Sequence, residues 1–268
     1  MKGDYSIIKY PRTQHIEGSR LQAGDEDLSQ LPFEAFLGRH IVIEEKIDGA
    51  NTAVSFDGEG NLLLQSRGHY LTGGYREKHY NLFKQWAGVH KDALFRALSS
   101  RYVMYGEWMY AKHSIYYDAL PHYFMEFDIL DRETDRFLDT ASRREITKNL
   151  PVCSVPVLGE GIFKKKDEVL KHLGNSRFIT ENHLENLRLA AVREKLDADK
   201  ILRETDAAMT MEGLYLKIEE MGEVKMRAKF VRASFLQTVE QSGSHWLERP
   251  IVPNGTTNTI DQMFMPEL

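Results

Sequence analysis

A lysine set inside an apolar, strand-forming run is the feature that most constrains this chain. Residues 41–56 read IVIEEKIDGANTAVSF and residues 62–68 read LLLQSRG, with the turn-forming sequence DGEGN between them. β-Branched and apolar residues bounded by Asp, Gly and Asn predict two strands joined as a hairpin. Because side chains alternate along a strand, Glu44, Lys46 and Asp48 fall on one face. The pattern therefore predicts a sheet that carries a partly buried amine beside carboxylates.

The rest of the chain changes between helical and strand-like patterns. Apolar residues spaced three and four apart predict helices, and short β-branched or aromatic runs predict strands. These patterns predict a helix over 80–100 with a break near Gly88, strands over 101–110 and 122–131, a helical stretch over about 141–208, and strands over 212–220 and 223–235. This order favours an α+β fold over regular βαβ alternation. We expect one domain over 1–235, which includes the helical insertion, and a C-terminal tail over 236–268.

Composition excludes several classes of protein. The chain has 268 residues, of which 42% are hydrophobic, so a packed core is expected. Its 35 basic and 40 acidic residues give a net charge of −5, so any anionic substrate must meet a local patch. Cys153 is the single cysteine, which excludes an internal disulfide and a paired-cysteine zinc site. No signal-peptide core and no apolar run of about 20 residues is present, so we expect a soluble, cytoplasmic protein without membrane contact.

Six short motifs follow one another along the chain. They are Lys46-Ile47-Asp48-Gly49, Ser66-Arg67-Gly68, Tyr105-Gly106-Glu107-Trp108, Phe124-Met125-Glu126-Phe127-Asp128-Ile129, Glu212-Gly213-Leu214-Tyr215-Leu216-Lys217 and Lys225-Met226-Arg227-Ala228-Lys229. The first alone is weak, because a strand lysine usually packs its stem and extends its ammonium to solvent. In this order the set resembles the covalent nucleotidyltransferase superfamily of ATP-dependent DNA ligases, RNA ligases and messenger-RNA capping enzymes. The resemblance implies an ATP-grasp-like nucleotidyltransferase domain of antiparallel sheets flanked by helices.

Within that superfamily, residues 45–51 (EKIDGAN) most resemble the RNA ligases related to bacteriophage T4 RNA ligase 2 and the kinetoplastid editing ligases. Asp48 stands where those enzymes commonly carry His and is shared with DNA ligases and capping enzymes. The 39 residues after Lys229 are too few for the OB-fold that DNA ligases and capping enzymes usually append. The resemblance thus implies an ATP-dependent RNA ligase that acts on RNA ends or nicked RNA, in RNA repair. A DNA ligase, a capping-type guanylyltransferase and a non-catalytic RNA- or nucleotide-binding module are the alternatives.

The chemistry that the resemblance implies starts from one amine. Lysine has an ordinary pKa of about 10.4, so roughly one molecule in a thousand carries a neutral amine at pH 7 unless the surroundings depress the pKa. Lys46 would attack the α-phosphorus of ATP, release pyrophosphate and form a lysyl-adenylate. The AMP would then pass to a 5′-phosphate end, from which a 3′-hydroxyl would displace it. These phosphoryl transfers depend on neutralising charge more than on acid–base chemistry.

The resemblance also implies roles for the other motif residues, with ATP and Mg²⁺ or Mn²⁺ as cofactors. Arg67 would contact the ribose or a phosphate, Glu107 the ribose hydroxyls, and Phe127 would stack on adenine. Glu212, with Glu107, would organise the metal. The expected catalytic and nucleotide-binding residues are Lys46, Asp48, Lys217, Arg227 and Lys229, together with Glu44, Glu45, Arg67, Glu107, Phe127 and Lys225.

Two assignments stay open at this point. Either Glu44 or Glu45 would help to select adenine. Lys225, Arg227 and Lys229 alternate along one strand, so they share a face that should point into the site, and the family's Lys-x-Lys pattern fits either pair. The basic cluster Lys164-Lys165-Lys166 and the helix that carries Arg188, Arg193 and Lys195 are candidate phosphate contacts, although such runs are more often solvated faces.

Overall fold

The computed structural model describes residues 6–21, 29–241 and 249–265, and two sheets dominate it. The strands are β1 (Gln14–His15), β2 (Ile41–Lys46), β3 (Ala50–Phe56), β4 (Leu62–Ser66), β5 (Tyr102–Trp108), β6 (Phe124–Asp131), β7 (Arg136–Phe137), β8 (Cys153–Ser154), β9 (Val157–Gly161), β10 (Gly213–Glu220) and β11 (Glu223–Val231). The helices are α1 (Asn81–Val89), α2 (Lys91–Leu98), α3 (Thr140–Thr147), α4 (Lys166–Leu170), α5 (His183–Arg193), α6 (Ala198–Arg203), α7 (Ala233–Gln241) and α8 (Ile260–Phe264), besides 3-10 turns at Phe33–Phe36 and Tyr75–Tyr80.

Antiparallel pairing builds most of both sheets. The five-stranded sheet has the order β1-β11-β10-β2-β9, and the six-stranded sheet runs β4-β3-β5-β6-β7 with β8 beside β6. Among the described strands, only two pairings are parallel, that of β1 with β11 and that of β8 with β6. Strands β10 and β11 are joined at Met221 and Gly222, which have φ values of 55° and 84°, as a tight two-residue hairpin requires. The predicted α+β fold of antiparallel sheets flanked by helices is confirmed.

The chain crosses from one sheet to the other at Ile47, Asp48 and Gly49. The sequence predicted one continuous strand over 41–56, and this is wrong, because β2 pairs with β10 while β3 pairs with β4 and β5. A Cβ on Gly49 would lie 2.5 Å from the Met109 sulfur, so the crossover has room only for glycine. Lys46 therefore stands at the last position of β2, where the two sheets diverge.

The insertion over 141–208 is less helical than predicted. It contains β8 and β9 before α4, α5 and α6, and β9 extends the five-stranded sheet by pairing Val42 with Glu160. The short run VCSVPVLGEG has the β-branched residues of a strand, but its partners lie far away in the sequence, so local pattern alone does not reveal the pairing.

Separate apolar clusters hold the layers together. The larger one packs α1 and α2 on the six-stranded sheet through residues such as Phe83, Trp86 and Phe124, and a second covers one face of the five-stranded sheet. A smaller cluster joins α5 and α6 to Tyr116 and Val252. Helix α7 runs across the domain boundary predicted at 235, and residues 249–265 of the predicted tail lie against the domain. None of the described helices has the length and apolar character that spanning a membrane requires.

Candidate active site

A cavity of about 590 Å³ opens between the two sheets. Lys46, Glu212 and Lys229 reach it from the five-stranded sheet, and Glu107 and Phe127 reach it from the six-stranded sheet. The crossover supplies its floor. Of the predicted site residues, the cavity lining includes Glu44, Glu45, Lys46, Asp48, Arg67, Glu107, Phe127, Glu212 and Lys229.

Lys46 is the amine that the cavity surrounds with carboxylates. Its side chain is 22% exposed, and its Nζ donates to Glu212 Oε2 at 2.7 Å. Burial alone lowers the pKa of Lys46, but the negative charges of Glu212, Glu107 and Asp48 outweigh burial and leave this pKa raised. Lys46 is therefore an ammonium held in place by its acidic neighbours.

Glu107 and Glu212 are two carboxyl groups that flank Lys46 in the cavity. Burial raises the pKa of Glu107 to about 7, with Lys46 lowering it and Glu212 and Asp48 raising it further. Burial likewise raises the pKa of Glu212 despite the ion pair with Lys46. No group of three or more His, Cys, Asp or Glu side chains among the described residues is placed to hold a metal ion. Two carboxylates completed by phosphates and water are nevertheless what Mg²⁺ commonly uses.

Asp48 anchors the loop that follows β5. Its Oδ2 accepts hydrogen bonds from the backbone N–H of Ser114 at 2.7 Å and of Ile115 at 3.0 Å. His113 Nδ1 lies 3.7 Å from the other oxygen, and the N–H of Asp48 donates to the hydroxyl of Tyr117 at 2.9 Å. Burial raises the pKa of Asp48, but His113 and the two N–H groups outweigh it, so the pKa is lowered. Asp48 thus stays ionised and fixes residues 113–117 beside the nucleophile.

Phe127 offers an aromatic face at the opposite wall. The half-buried ring packs edge-on against Tyr10, with centroids 5.1 Å apart and planes at 82°. Arg67 lies on the bend after β4, and Lys229 is close enough to Glu212 to lower its pKa. An aromatic face, two cations and two carboxylates around one cavity match the components of a nucleoside triphosphate and its metal.

Lys217 lies behind the cavity and not in its lining. The side chain is completely buried, with Nζ 2.8 Å from Glu44 Oε2 and 3.3 Å from Asp128 Oδ1, and it donates to the backbone carbonyl of Phe127. Its contact with ATP, implied by the resemblance, stays a prediction. In the described structure its contacts hold the strand that carries Phe127.

Arg143, which no sequence pattern singled out, completes this buried charge arrangement. It donates to Glu44 at 2.5 Å and to Glu126 at 2.8 Å. Asp139 caps α3 by accepting from the N–H of Ser142, which orients the helix that carries Arg143. We call the set of three cations and three carboxylates the buried ion cluster, whose members are Glu44, Glu126, Asp128, Arg143, Lys217 and Arg227.

The expectation that Lys225, Arg227 and Lys229 all face the site is wrong. Lys229 lines the cavity, but Arg227 turns to Asp128 at 3.2 Å and lies over the ring of Phe137 at 4.1 Å. Lys225 is near the end of the hairpin and pairs with Glu223. The ladder between β10 and β11 shifts register after Ile218, so strict alternation does not continue to the hairpin end.

Glu44 and Glu45 differ in what surrounds their carboxyl groups. Glu44 belongs to the buried ion cluster, whereas burial raises the pKa of Glu45 to about 7, against the lowering effects of Ser176 and Arg177. The sequence did not assign roles to Asn51 or Tyr10, although Asn51 lies in the EKIDGAN segment that carried the family resemblance. The Oδ1 of Asn51 is buried and makes no hydrogen bond within the described residues. An unsatisfied acceptor of this kind is a group that a ligand can use.

The two sheets and the cavity between them define a nucleotidyltransferase-type ligase domain. The family model for RNA ligase matches residues 39–231, which is most of the chain and includes all six motifs. The chain therefore belongs to the RNA ligase family. No curated protein sequence gives a significant match.

Solved structures agree in fold with this assignment. Naegleria gruberi RNA ligase with PPi is similar with a TM-score of 0.53 and 17% identity, over 87% of this chain and 58% of that one. A lysine-to-methionine mutant of the same ligase, with AMP and Mn, gives a TM-score of 0.54 and 14% identity over 88% and 59%. At such identities the similarity establishes the fold. This chain spans less than two thirds of the length of those ligases.

Proposed function

We propose that this chain is an ATP-dependent RNA ligase whose nucleophile is Lys46. The observation that carries the proposal is the position of the Lys46 amine, inside a cavity that also holds Phe127, Lys229, Glu107 and Glu212. Membership of the RNA ligase family supports it. So do the similar structures, which contain ATP and Mn, AMP and Mn, or PPi.

The reaction would proceed in three balanced transfers. The Lys46 amine, having lost a proton to solvent, forms a bond from Nζ to the α-phosphorus of ATP as the bond to the β-phosphate oxygen breaks, and pyrophosphate leaves. An oxygen of an RNA 5′-phosphate then attacks the adenylate phosphorus, so the bond to nitrogen breaks and Lys46 is restored. Finally a 3′-hydroxyl attacks the 5′-phosphorus, loses its proton and releases AMP, which leaves a phosphodiester.

The residues of the cavity divide this work. Phe127 offers a stacking face for adenine, and Lys229 and Arg67 offer positive charge for phosphates. Glu107 and Glu212 would hold a divalent metal ion, which when bound supplies positive charge for the phosphates and against the ammonium of Lys46. The two carboxylates fit such an ion, because both lie beside Lys46 in a cavity with room for the phosphates and water that would complete its coordination.

Labelling with α-³²P-ATP tests the first transfer. We expect an acid-stable, hydroxylamine-resistant adduct on the wild-type protein and none on Lys46→Ala. Lys225→Ala is the matched control, because Lys225 is an exposed lysine outside the cavity and its variant should label normally. Absence of label on a folded wild-type protein would falsify the proposal.

The polymer and the donor need a separate experiment. Asp48, which this chain shares with DNA ligases and capping enzymes, makes these the alternatives. We propose RNA ends or nicked RNA as the substrate and ATP as the donor. Assays of nicked RNA and nicked DNA, each with ATP, GTP and NAD, should show joining of RNA with ATP; selective joining of DNA, or labelling by GTP alone, would exclude this choice.

The setting and domain limits are also part of the proposal. We place the activity in RNA repair within the cytoplasm, since the lone Cys153 has no disulfide partner and suits a reducing compartment. We also propose that residues 1–235 form the adenylyltransferase domain and that 236–268 are its C-terminal tail.

A further inference from the structure

A second cavity of about 540 Å³ lies between the segment after β5, helix α5 and the C-terminal residues 253–260. We call it the tyrosine cavity, and its lining includes Tyr110, Tyr116, Tyr123, Arg193 and Asn254. None of these residues has a place in the proposed transfer chemistry.

Hydrogen bonds hold the wall of the tyrosine cavity in a preformed shape. The side chain of Asn254 accepts from the N–H of Tyr117 at 3.0 Å and donates to the carbonyl of Met109 at 2.7 Å. Tyr123 donates its hydroxyl to the carbonyl of Asn254 at 2.7 Å. Tyr110 packs edge-on against Tyr123, with centroids 5.3 Å apart. A ligand would therefore meet rings that are already fixed.

Two polar groups of this cavity are left for a ligand. Tyr116 is only 4% exposed, yet its hydroxyl makes no hydrogen bond with any described residue. Arg193, at the end of α5, lines the cavity and forms no ion pair within the described part of the chain. A tyrosine hydroxyl, aromatic rings and an exposed guanidinium are the groups that recognise an unpaired nucleobase and its phosphate.

One short loop joins the lining of the active-site cavity to that of the tyrosine cavity. His113 lines the active-site cavity and Tyr116 lines the tyrosine cavity, so their Cα atoms are at most about 11 Å apart. Asp48 fixes this loop through Ser114 and Ile115. A stacked strand advances about 3.4 Å per nucleotide, so this upper limit corresponds to roughly three nucleotides.

We propose that the tyrosine cavity binds an unpaired nucleotide of the RNA strand, a few residues from the end that is being joined. The inference rests on the proposed function, because it is the reacting strand that brings the nucleotide there. Its base would lie against the tyrosine rings with the hydroxyl of Tyr116 on its polar edge, and Arg193 would pair with a phosphate. The exposed Leu189 and Ile260 at the rim would cover the sugar.

The test measures binding of a fluorescein-labelled, single-stranded oligoribonucleotide by anisotropy. Tyr116→Phe with Arg193→Gln should raise the Kd about tenfold, while adduct formation with labelled ATP stays at the wild-type rate. Arg188→Gln is the matched control, because Arg188 lies on the same helix but pairs with Asp199 and does not line the cavity. It should leave the Kd within twofold.

Cross-linking identifies the nucleotide. 4-Thiouridine placed singly at each of the first six positions from the end should cross-link to Tyr110 or Tyr116 from one or two of them. An unchanged Kd in the double variant, or cross-links that all lie elsewhere, would overturn the inference. The tyrosine cavity would then be assigned to a protein partner in place of RNA. Failure of the proposed function is distinct, since it would appear as the absence of the ATP adduct in the wild-type protein.

Discussion

Replacing Lys217 with Met removes one of three cations from the buried ion cluster. Its ammonium is completely buried against Glu44 and Asp128, so the substitution leaves the cluster with one uncompensated negative charge. Breaking a buried ion pair in this way costs about 3–5 kcal/mol. For a chain of this size, that loss lowers the Tm by roughly 6–20 °C.

Thermal unfolding followed by circular dichroism, with urea titration for the free energy of unfolding, measures this loss. Lys225→Met is the matched control, because that lysine is exposed and its replacement should stay within about 0.5 kcal/mol of wild type. Adding Asp128→Asn to Lys217→Met removes the uncompensated charge, so the double variant should recover part of the stability. If Lys217→Met unfolds like the wild type and loses only ATP binding, Lys217 contacts the nucleotide and the reasoning about the cluster is refuted.

Three other substitutions follow from single contacts. Gly49→Ala should cost about 1–3 kcal/mol in urea titration and slow adenylation, because the new Cβ would lie 2.5 Å from the Met109 sulfur; wild-type values would contradict this. Phe127→Leu should raise the KM for ATP with little change in stability, and an unchanged KM would remove the stacking role. Glu45 has a pKa raised from 4.5 to about 7, so the folded state holds the proton more tightly than the unfolded state. Protonated Glu45 therefore stabilises the folded state fully below pH 4.5, and this contribution of about 3 kcal/mol is lost as the pH rises through 7. Glu45→Gln should abolish this pH dependence of the free energy of unfolding in urea titrations at several pH values. Equal pH dependence of both proteins would contradict the assignment.

The motifs predicted the family from sequence because their order reflects chemistry. A nucleophilic lysine, an aromatic platform and carboxylates for a metal are needed whatever the surrounding fold, and Lys46, Phe127 and Glu212 do line one cavity. The strands around them could also be predicted from the sequence, since β5, β6, β10 and β11 are β-branched and aromatic runs with clear ends.

Features that depend on residues distant in the sequence could not be predicted from local pattern. Nothing local to residues 41–56 shows that the chain changes sheets at Asp48, because that depends on which strands pair on each side. Likewise, alternation placed Arg227 in the site, whereas Asp128 on another sheet draws it into the buried ion cluster. Arg143 joins the same cluster from a helix that sequence pattern alone does not orient.

Intact-mass analysis after exposure to ATP and Mg²⁺, followed by peptide mapping, shows which lysine becomes adenylated. We expect a mass gain equal to one AMP, located on the peptide that contains Lys46, in the wild type and in Lys225→Ala but not in Lys46→Ala. An adduct that persists in Lys46→Ala, or that maps to another lysine, would contradict this expectation.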